Sequence, residues 1–491
     1  MEAKKRKNNL EALYKSENFS NRILMLGCGA IGTLLLPILL KIINIEPTNI
    51  TVIDKNILRK DNIKKYIDLG VSFINIEITK ENLKEIIIEQ IKLTNNDIII
   101  DVSYGINTND MFVVCNTNGI SYINSAVELW TDDDNLDDKE YTFCNRIKSL
   151  EKQNDLNNGV YNNNFIISMG CNPGNVNIWL LYALEKINKK KFNYEFTNYA
   201  DLANKMGLNV IHISEKDTQK SNLPKKINEY ANTWANDAVS YYDESTNFLE
   251  ISWGTHEKTI PSNINIKLSD NYQKIIDDKP YIKLAKSYTP LSNEIIGMLT
   301  RHEECYTISM KLTQHDLSNN IIYRPSCYFV YKPCNLAIKS LKEMVSNNET
   351  YQNNFRLMTK DIINGRDELG CTLFFSNKDI YWVGSLLDIN ETRMLFNNEF
   401  DTIINSTILQ VVAGYIGGLL YLIKSIKDNN FKGLLKPEDM PIKEFIKWTK
   451  PFLGTFGIKK VDDWLVASPL SPPLSPPLSP PLWQFNDFLA T

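Results

Sequence analysis

The stretch RILMLGCGAIGTLLLPILLKIINIEPTNITVID, residues 22–54, has the pattern of a strand, a glycine-rich turn, a helix and a second strand. Ile23–Leu26 is a short apolar run, typical of a strand buried in a parallel sheet. The turn that follows, residues 27–32, has the spacing G-x-G-x-x-G and leads into an apolar helical segment, residues 33–45. The second strand, residues 50–53, ends at Asp54. This order of elements predicts the first half of a doubly wound α/β sheet.

The glycine turn suits the pyrophosphate of a dinucleotide. The first glycine allows the tight turn, the second lets the backbone approach the phosphates, and the third packs helix against strand. The N–H groups and dipole of the helix N-terminus favour an anion at this place. Asp54, 22 residues after Gly32, would bind the ribose hydroxyls and repel a 2′-phosphate. We therefore predict a site for NAD, rather than NADP, that includes Gly27, Gly29, Ala30, Ile31 and Gly32.

A further strand is predicted at residues 97–102, followed by a helix at 111–117 and another strand at 121–125. In doubly wound sheets the ligand lies beyond the carboxyl ends of the strands. We therefore expect Asp101 and Ser103 to lie near the cofactor. The acidic run Asp132–Asp134 is most simply interpreted as an exposed loop.

The composition is that of an ordinary globular enzyme of two or three domains. Of the 491 residues, 43% are hydrophobic and 23% are charged. The net charge of −4 argues against a nucleic-acid-binding protein and is compatible with cationic ligands. The eight cysteines form no CxxC pair and the four histidines form no HxxxH pair. We therefore expect free thiols in a reducing cytoplasm and no metal site.

Two apolar stretches raise the question of membrane spans. Residues 23–40 carry no charge over 18 residues, and residues 407–423 (TILQVVAGYIGGLLYLI) carry none either. Three glycines interrupt each stretch, so both are interpreted as buried segments of a globular protein. The first 21 residues are charged and lack an apolar core, so no signal peptide is predicted.

From about residue 165 the pattern changes to strand-like segments that alternate with loops, at 165–168, 209–213, 248–253, 305–312, 371–375 and 380–383. This pattern favours a mixed α+β substrate domain, and the apolar helical segment 409–424 is expected to pack back on the first domain. Three SPPL units in the tail favour polyproline II and cannot build a core. The predicted parts are an N-terminal extension (1–20), a Rossmann-type domain (21–160), an α+β substrate and catalytic domain (161–400), a helical part (401–465) and the tail (466–491).

Two polar clusters follow predicted strands of the second half. GCNPGN, residues 170–175, is either an ordinary tight turn or a contact to the nicotinamide end of the cofactor. HISEKDTQ, residues 212–219, is either a solvated strand end or a place where Glu215 binds an ammonium group.

Two further clusters combine acids with aromatic rings or histidine. Trp234 and Trp253 flank Asp243 and Glu244, which describes either core tryptophans or a site where ring faces and carboxylates share a cation. The fourth cluster, RHEE at residues 301–304, presents His302 either as a polar surface residue or as a general acid or base.

Taken in order, these clusters resemble the bacterial homospermidine synthases, which are related to the saccharopine dehydrogenases. The matching motifs are MLGCGAIGTLLLP (25–37), NPG (172–174), HISEKDTQ (212–219), NTW (232–234), WGTHE (253–257), YRPSC (323–327) and DELG (367–370). The resemblance covers about residues 20–455 and leaves out the N-terminal extension and the tail.

The resemblance implies a saccharopine dehydrogenase-like fold, bound NAD, and putrescine or other small polyamines as substrates. A hydride would pass from putrescine to NAD⁺, a second putrescine would displace ammonia from the imine, and the hydride would return to give homospermidine. With spermidine as donor, diaminopropane would leave instead. The resemblance also implies a homodimer.

By similarity, Trp234 holds the substrate or the charged imine by a cation–π contact. Glu215 binds an ammonium group together with either Asp243 or Glu244, and the spacing from Trp234 leaves open which of the two acids does so. A second set of residues would line the site, handle protons and orient the reacting end beside the nicotinamide: His302, Asp367 and Asn172.

Three other functions remain open from the sequence. A saccharopine-type dehydrogenase would need convergent arginines to bind α-carboxylates. A carboxynorspermidine-type dehydrogenase, acting on a diamine and an aldehyde acid, is an intermediate case. A non-catalytic NAD-sensing or scaffold protein would use the proline-rich tail. Acids and tryptophans dominate the clusters, which favours a diamine without a carboxylate.

Overall fold

The computed structural model describes residues 2–131, 137–235, 239–262, 264–269, 273–462, 464 and 483–490. The acidic run Asp132–Asp134 and the SPPL units lie outside these residues. Within them the strands are β1 (Glu17–Asn18), β2 (Ile23–Leu26), β3 (Ile43–Asn44), β4 (Ile50–Asp54), β5 (Ser72–Asn75), β6 (Ile98–Asp101), β7 (Ser121–Asn124), β8 (Asn164–Ile166), β9 (Leu208–Asp217), β10 (Lys220–Ser221), β11 (Glu229–Asn232), β12 (Leu249–Ser252), β13 (Ile266–Ser269), β14 (Gln273–Ile276), β15 (Leu284–Thr289), β16 (Asn293–Thr300), β17 (Gln314–His315), β18 (Ile321–Tyr323), β19 (Ser326–Lys332), β20 (Asn354–Leu357), β21 (Ile362–Asn364), β22 (Arg366–Phe375), β23 (Ile380–Asp388), β24 (Gly433–Leu435) and β25 (Thr455–Lys460).

The α-helices of the described residues are α1 (Glu2–Glu11), α2 (Ala30–Ile42), α3 (Arg59–Asn62), α4 (Lys64–Ile67), α5 (Thr108–Asn118), α6 (Phe143–Asp155), α7 (Asn175–Ile187), α8 (Tyr199–Met206), α9 (Val239–Thr246), α10 (Glu303–Lys311), α11 (Asn335–Ser346), α12 (Ile389–Leu395), α13 (Ser406–Lys427), α14 (Ile442–Thr449) and α15 (Phe485–Phe488). Short 3₁₀ helices cover Pro47–Asn49, Pro437–Asp439 and Lys450–Phe452, and π-helical turns cover Glu85–Gln90 and Asn188–Phe192.

A seven-stranded sheet carries the glycine turn, and its strand order is β24-β8-β7-β6-β2-β4-β5. Every pairing in it is parallel. The strand order reverses between β2 and β6, which is the switch point where doubly wound sheets bind ligands. Residues 23–26 are buried on both faces, as a central parallel strand requires. The Rossmann-type fold expected from the sequence is confirmed.

This sheet extends further along the chain than the sequence pattern indicates. The strand-like segment near residue 165, assigned from sequence to the substrate domain, is β8 and pairs with β7. The last strand is β24, which returns to the sheet at residues 433–435. The boundary at residue 160 stays a prediction. The first sheet is completed by β24, which lies in sequence between β23 and β25 of the second sheet.

A ten-stranded sheet forms the second half, with the path β13-β14-β12-β19-β9-β22-β23-β25 and with β15 and β16 joined to it through β19. Its centre is β9, which runs parallel to β19 and antiparallel to β22. This mixed sheet, with helices packed on it, confirms the α+β character expected from the sequence. β25 belongs to this sheet, so residues 401–465 are not purely helical.

Helix α13 joins the two halves. It contacts α2 and β7 of the first half and β22 of the second. A Cβ atom at Gly414 would overlap the carbonyl oxygen of Gly170, so the glycine lets this helix approach the first sheet closely. By length and composition alone α13 is apolar enough to cross a membrane, but 94% of its apolar window is buried inside the protein. The expectation that this segment is a buried helix packed on the first domain is confirmed.

Two local expectations are wrong. Residues 305–312 were expected to form a strand, but they belong to helix α10, whose first turn carries Glu303 and Glu304. Acids at that place are stabilised by the helix dipole. Residues 483–490, expected to be part of a tail outside the core, are packed into it, since Phe485 and Phe488 are fully buried.

Candidate active site

The glycine turn between β2 and α2 has the geometry that a dinucleotide requires. Gly27 adopts φ +90°, and a Cβ there would lie 2.8 Å from the carbonyl oxygen of Val102. A Cβ at Gly32 would overlap the carbonyl oxygen of Gly27, so helix and turn are in contact. Gly29 is the N-cap of α2 and has no side chain to cap the first turn. The N–H groups of that turn, which includes Ala30 and Ile31, therefore suit a phosphate ligand.

The predicted cofactor acids lie at the same edge of the sheet. Asp54 accepts hydrogen bonds from the backbone N–H of Cys28 (2.7 Å) and of Asn56 (2.8 Å), so it is tied to the glycine turn. Asp101 is buried, and its carboxylate accepts from the Ser103 hydroxyl (2.5 Å) and the Tyr122 hydroxyl (2.9 Å). Burial raises the pKa of Asp101. Asp101 thus organises the loop that carries Ser103.

Three buried carboxylates, Glu215, Asp217 and Asp367, form the centre of the second half. Glu215 and Asp217 are two residues apart on β9, so both side chains lie on the same face of the sheet. Asp367 on β22 is directly opposite Asp217 in the antiparallel register. None of the three is more than 5% exposed. The cluster HISEKDTQ is therefore part of a buried strand, not a solvated strand end.

Neutral donors hold these carboxylates. The Asn172 amide donates to Glu215 Oε2 (3.2 Å), and the Gln410 amide of α13 donates to Asp367 Oδ2 (3.0 Å). The Thr233 hydroxyl donates to Asp217 Oδ2 (2.5 Å). Of the described residues, none makes a well-aligned hydrogen bond to Asp367 Oδ1, which is buried, although the nearby Thr407 hydroxyl lowers the pKa of Asp367. The cluster therefore has buried acceptor capacity that a cationic ligand would satisfy.

Burial raises the pKa of all three acids, and repulsion from neighbouring carboxylates adds to the rise for Glu215 and Asp367. Burial, reinforced by Asp217, raises the pKa of Glu215 to about 8. Burial raises the pKa of Asp217 to about 6. Burial and the two neighbouring acids raise the pKa of Asp367 well above its ordinary value. The cluster thus holds protons at neutral pH and would release them when a cation binds.

His302 lies beside this cluster at the N-cap of α10. Its Nδ1 is 3.0 Å from Glu304 Oε2, and its Nε2 is 3.7 Å from Glu244 Oε1. Burial lowers the pKa of His302, but Glu304 and Glu244 outweigh burial and hold the pKa well above its ordinary value. The positive charge of the His302 imidazolium lowers the pKa of Glu215 and so opposes the effect of burial. This charge effect indicates that His302 lies close to the Glu215 carboxylate.

The two neighbouring acids of α9 have different partners. Asp243 accepts hydrogen bonds from Arg301 (3.1 Å), the Tyr141 hydroxyl (2.7 Å) and the Asn247 amide (3.0 Å). Burial raises the pKa of Asp243, but the Arg301 guanidinium and the hydrogen bonds from Asn247 and Tyr141 together outweigh burial and leave the pKa below its ordinary value. Glu244 instead faces His302. Asp243 therefore belongs to a buried ion pair, and Glu244 to the site around His302.

Trp234 follows β11 and is half-buried against the core. Its backbone N–H donates to the Asn232 side chain (2.8 Å). The preceding residue, Thr233, is the donor to Asp217, so the indole is attached to the backbone immediately beside the carboxylate cluster. The structure thus brings Trp234 into the same region as Glu215.

Three acids of this region were not singled out from the sequence. Asp217 lies two residues after Glu215. Because alternate residues of a strand lie on the same face, the sequence could have placed Asp217 beside Glu215. Glu304 follows His302 by two residues and orders its ring. Burial raises the pKa of Glu128 to about 8, against the opposing charge of Arg146. Glu128 belongs to no sequence motif. Its raised pKa results from the packing of the two halves, which the sequence does not show.

The two halves meet through this site. Asn172, which binds Glu215, lies in the loop between β8 and α7 at the carboxyl edge of the first sheet. Glu303 of α10 accepts hydrogen bonds from Ser168 and from the backbone of Val127, both in loops of that same edge. The carboxylates therefore face the edge of the first sheet at which the glycine turn lies. The arrangement can hold a cation beside a bound dinucleotide.

Comparison with known proteins agrees with this architecture. Residues 23–161 match the family model for the saccharopine dehydrogenase NADP binding domain. The homospermidine synthase of Blastochloris viridis is 28% identical to this chain over 486 residues, which is 95% of the chain and 97% of that enzyme. The homospermidine synthase of Mesorhizobium japonicum is 28% identical over 450 residues, which is 88% of each.

A solved structure extends the match to the fold. The crystal structure of the homospermidine synthase of Legionella pneumophila in complex with NAD is 31% identical, with a TM-score of 0.84, and the match covers 97% of this chain and 99% of that one. Both the glycine-turn half and the carboxylate half lie within the matched region. The chain belongs to the homospermidine synthase family.

Proposed function

We propose that this protein joins two putrescines into homospermidine and releases ammonia, with NAD as a cofactor that is regenerated in each turnover. The observation that carries the proposal is the buried cluster of Glu215, Asp217 and Asp367, which has acidic neighbours and faces the edge of the nucleotide sheet. A dication is costly to bury unless carboxylates receive it, and this cluster supplies them. The Legionella relative was crystallised in complex with NAD, which supports the choice of cofactor.

The residues of the first half fit NAD. The left-handed Gly27 and the contact at Gly32 leave the turn open to a pyrophosphate. Asp54 is held at the turn by the N–H of Cys28, where its charge favours ribose hydroxyls over a 2′-phosphate. The matched family model describes an NADP-binding domain, and the Asp54 carboxylate is our reason for choosing NAD. Bound NAD would supply hydride transfer: it would accept a hydride from the carbon beside one amine of putrescine and return it to the carbon of the new carbon–nitrogen double bond.

The substrate residues bind and orient the diamine. We assign Glu215 and Asp367 to one ammonium group and Glu244 to the other. The Trp234 ring face is assigned to the substrate cation or to the charged imine. Asn172, which already holds Glu215, is assigned to orient the reacting amine. Asp243 is assigned to positioning α9, because Arg301 and Tyr141 occupy its carboxylate.

Proton transfer falls to Glu215 and His302. An amine must be neutral before the carbon beside it gives up a hydride, so a nearby base must take its proton. The pKa of Glu215 is about 8 in the ligand-free protein and falls when the substrate cation binds beside it, so that Glu215 is ionised in the complex and can act as the base near neutral pH. His302, held as imidazolium by Glu304 and Glu244, is assigned to protonate the leaving ammonia. Two putrescines then yield one homospermidine and one ammonia, and spermidine as donor would release diaminopropane.

Product analysis tests this proposal. Purified protein is incubated with putrescine and a catalytic amount of NAD⁺, and the products are identified by mass spectrometry. We expect homospermidine and ammonia in equal amounts without accumulating NADH, and no product from the Glu215→Gln variant. Accumulating NADH without a new polyamine would instead identify a plain dehydrogenase, and saccharopine or carboxynorspermidine precursors would then be assayed.

Two wider assignments belong to the same proposal. The eight cysteines are free and buried, which suits a reducing cytoplasm. Assembly as a homodimer rests on the family resemblance, and light scattering of the purified protein tests it.

A further inference from the structure

The segment 483–490, which we call the docking segment, packs on the second sheet. It follows the SPPL units, which separate it in sequence from Trp464. Phe485 and Phe488 of α15 are fully buried, and the Phe485 ring lies 5.3 Å from the ring of Tyr328, between centroids. The segment therefore supplies core side chains to a sheet that is otherwise built from residues before 465.

The WGTHE motif binds the docking segment. His256 Nε2 lies 2.9 Å from the carbonyl oxygen of Trp483, and the Gln484 amide donates to the carbonyl oxygen of His256 (3.1 Å). The backbone N–H of Phe485 donates to Glu257 Oε2 (2.9 Å). Three consecutive residues of the segment are thus held by two consecutive residues of the motif. The substrate assignments made above use neither of these motif residues.

The YRPSC motif supports the same receptor. The Ser326 hydroxyl donates to Glu257 Oε1 (2.8 Å) and accepts from the backbone N–H of Gly254 (2.9 Å). Arg324 donates through Nε to the carbonyl oxygen of Trp253 (2.8 Å). These contacts fix the WGTHE loop on β19. Two motifs that lie far apart in sequence therefore form one binding surface for the segment.

The docking segment also touches the back of the strands that carry the catalytic acids. The Phe488 ring lies 4.4 Å from the His212 ring and 4.9 Å from the Phe374 ring, between centroids. His212 is on β9, and alternation along the strand places it on the face opposite Glu215 and Asp217. The segment and the substrate would therefore contact opposite faces of the same strand.

We propose that docking of residues 483–490 positions the catalytic carboxylates, and that the WGTHE and YRPSC motifs form the receptor for this segment. Loss of Phe485 and Phe488 leaves a void behind β9, and the strand relaxes into it. A shift of this kind misplaces the carboxylates relative to the bound dinucleotide and lowers turnover. The proposal rests on the proposed function, because turnover of putrescine is its readout.

The test uses the full chain with the double change Phe485→Ala and Phe488→Ala. We expect turnover to fall about 100-fold while NAD binding is retained, because the nucleotide half is not touched. Adding the synthetic peptide WQFNDFLAT should restore turnover with saturable dependence on its concentration, and a peptide with both phenylalanines replaced by alanine should not. Phe355→Ala is the matched control, since this phenylalanine is 49% exposed, and it should leave turnover unchanged.

If the double variant does not fold, a cleavable full-length protein replaces it in the test. A specific protease site replaces the SPPL unit at residues 475–478 of the full chain, so that the segment docks before it is cut. After cleavage, dilution should lower turnover, and the peptide should restore it. Full turnover in the double variant, or a loss that saturating peptide fails to restore in the folded cleaved protein, would overturn the proposal. If the parent chain itself forms no homospermidine, the proposed function fails instead.

Discussion

Two neighbouring acids, Asp243 and Glu244, differ in the cationic side chain that each contacts. Asp243 is in an ion pair with Arg301, which is fully buried, whereas Glu244 faces the imidazole of His302. Asp243 and Glu244 are adjacent in sequence, and so are their partners Arg301 and His302. The two segments 243–244 and 301–302 therefore contact each other residue by residue. Sequence spacing cannot show which of the two acids binds substrate, because they are adjacent residues on one short helix.

We therefore expect opposite phenotypes from isosteric changes at these positions. Asp243→Asn leaves the buried Arg301 charge with Glu250 as its remaining carboxylate partner and should lower the free energy of unfolding by about 1–3 kcal/mol. Glu244→Gln should leave stability nearly unchanged, raise the KM for putrescine about tenfold and lower the pKa of His302. Thermal unfolding and steady-state kinetics of the pair of variants measure this. A catalytic defect at Asp243 without destabilisation would contradict the assignment.

The role that we propose for Trp234 depends on its ring face, not on its volume alone. Trp234→Ala should lower kcat about 100-fold, since a cation–π contact in a desolvated site contributes about 2 kcal/mol and the ring also orders the substrate. Trp234→Phe keeps a weaker ring face and should retain an intermediate rate. NAD affinity, measured by fluorescence titration, should be the same in both variants. Near-normal turnover of the alanine variant would remove this residue from the mechanism.

The elements that the sequence predicts best are those with one dominant local signal. The strand at residues 23–26 and the turn at 27–32 were placed correctly, because apolar runs and glycine spacing act over a few residues. Residues 305–312 were misassigned as a strand, because the acids that begin α10 lie just before the segment. Local propensity does not include the burial of this helix against the second sheet and α6.

The close packing of helix α13 on the first half can be tested by a substitution at Gly414. Alanine for glycine normally stabilises a helix interior by about 1 kcal/mol. Gly414→Ala should instead destabilise the protein by about 1–3 kcal/mol, because the new methyl group overlaps the carbonyl oxygen of Gly170. Gly457→Ala is the control, since a Cβ there meets no atom within 4 Å. Denaturant unfolding of both variants distinguishes a steric effect from a general intolerance of change.

At the scale of the whole molecule, the site is made of residues that only the tertiary fold brings together. Asp217 and Asp367 are opposite each other on β9 and β22, although 149 residues lie between them in sequence. Glu215 and Trp234 were identified from motifs, but the register that makes a three-acid cluster could not be read from local patterns. The pairing of Asp243 with Arg301 was missed for the same reason. Sequence therefore proposes the chemical groups of the candidate site, and the fold shows which of these groups lie together.

The buried acids make the stability of the ligand-free protein depend on pH. Burial raises the pKa of Glu215 from its ordinary 4.5 to about 8, and it raises the pKa of Asp217 from 3.8 to about 6. A raised pKa means that the folded state binds more protons than the unfolded state. The stabilising contribution of such an acid is therefore complete below its ordinary pKa and is lost as the pH rises through its folded value. We expect the melting temperature of the ligand-free protein to fall between about pH 5 and about pH 8.

Putrescine should reverse this loss, because its ammonium groups pair with the carboxylates once they are ionised. The rise in melting temperature at saturating putrescine should therefore be larger at about pH 8 than at about pH 5.5. Butane-1,4-diol has the same chain length without charge and should give no such rise. In Glu215→Gln the pH dependence should be reduced, since one of the titrating groups is gone. Equal stabilisation by putrescine at both pH values would mean that the cluster is already ionised in the ligand-free protein, and that its acids do not take up the charge of the substrate.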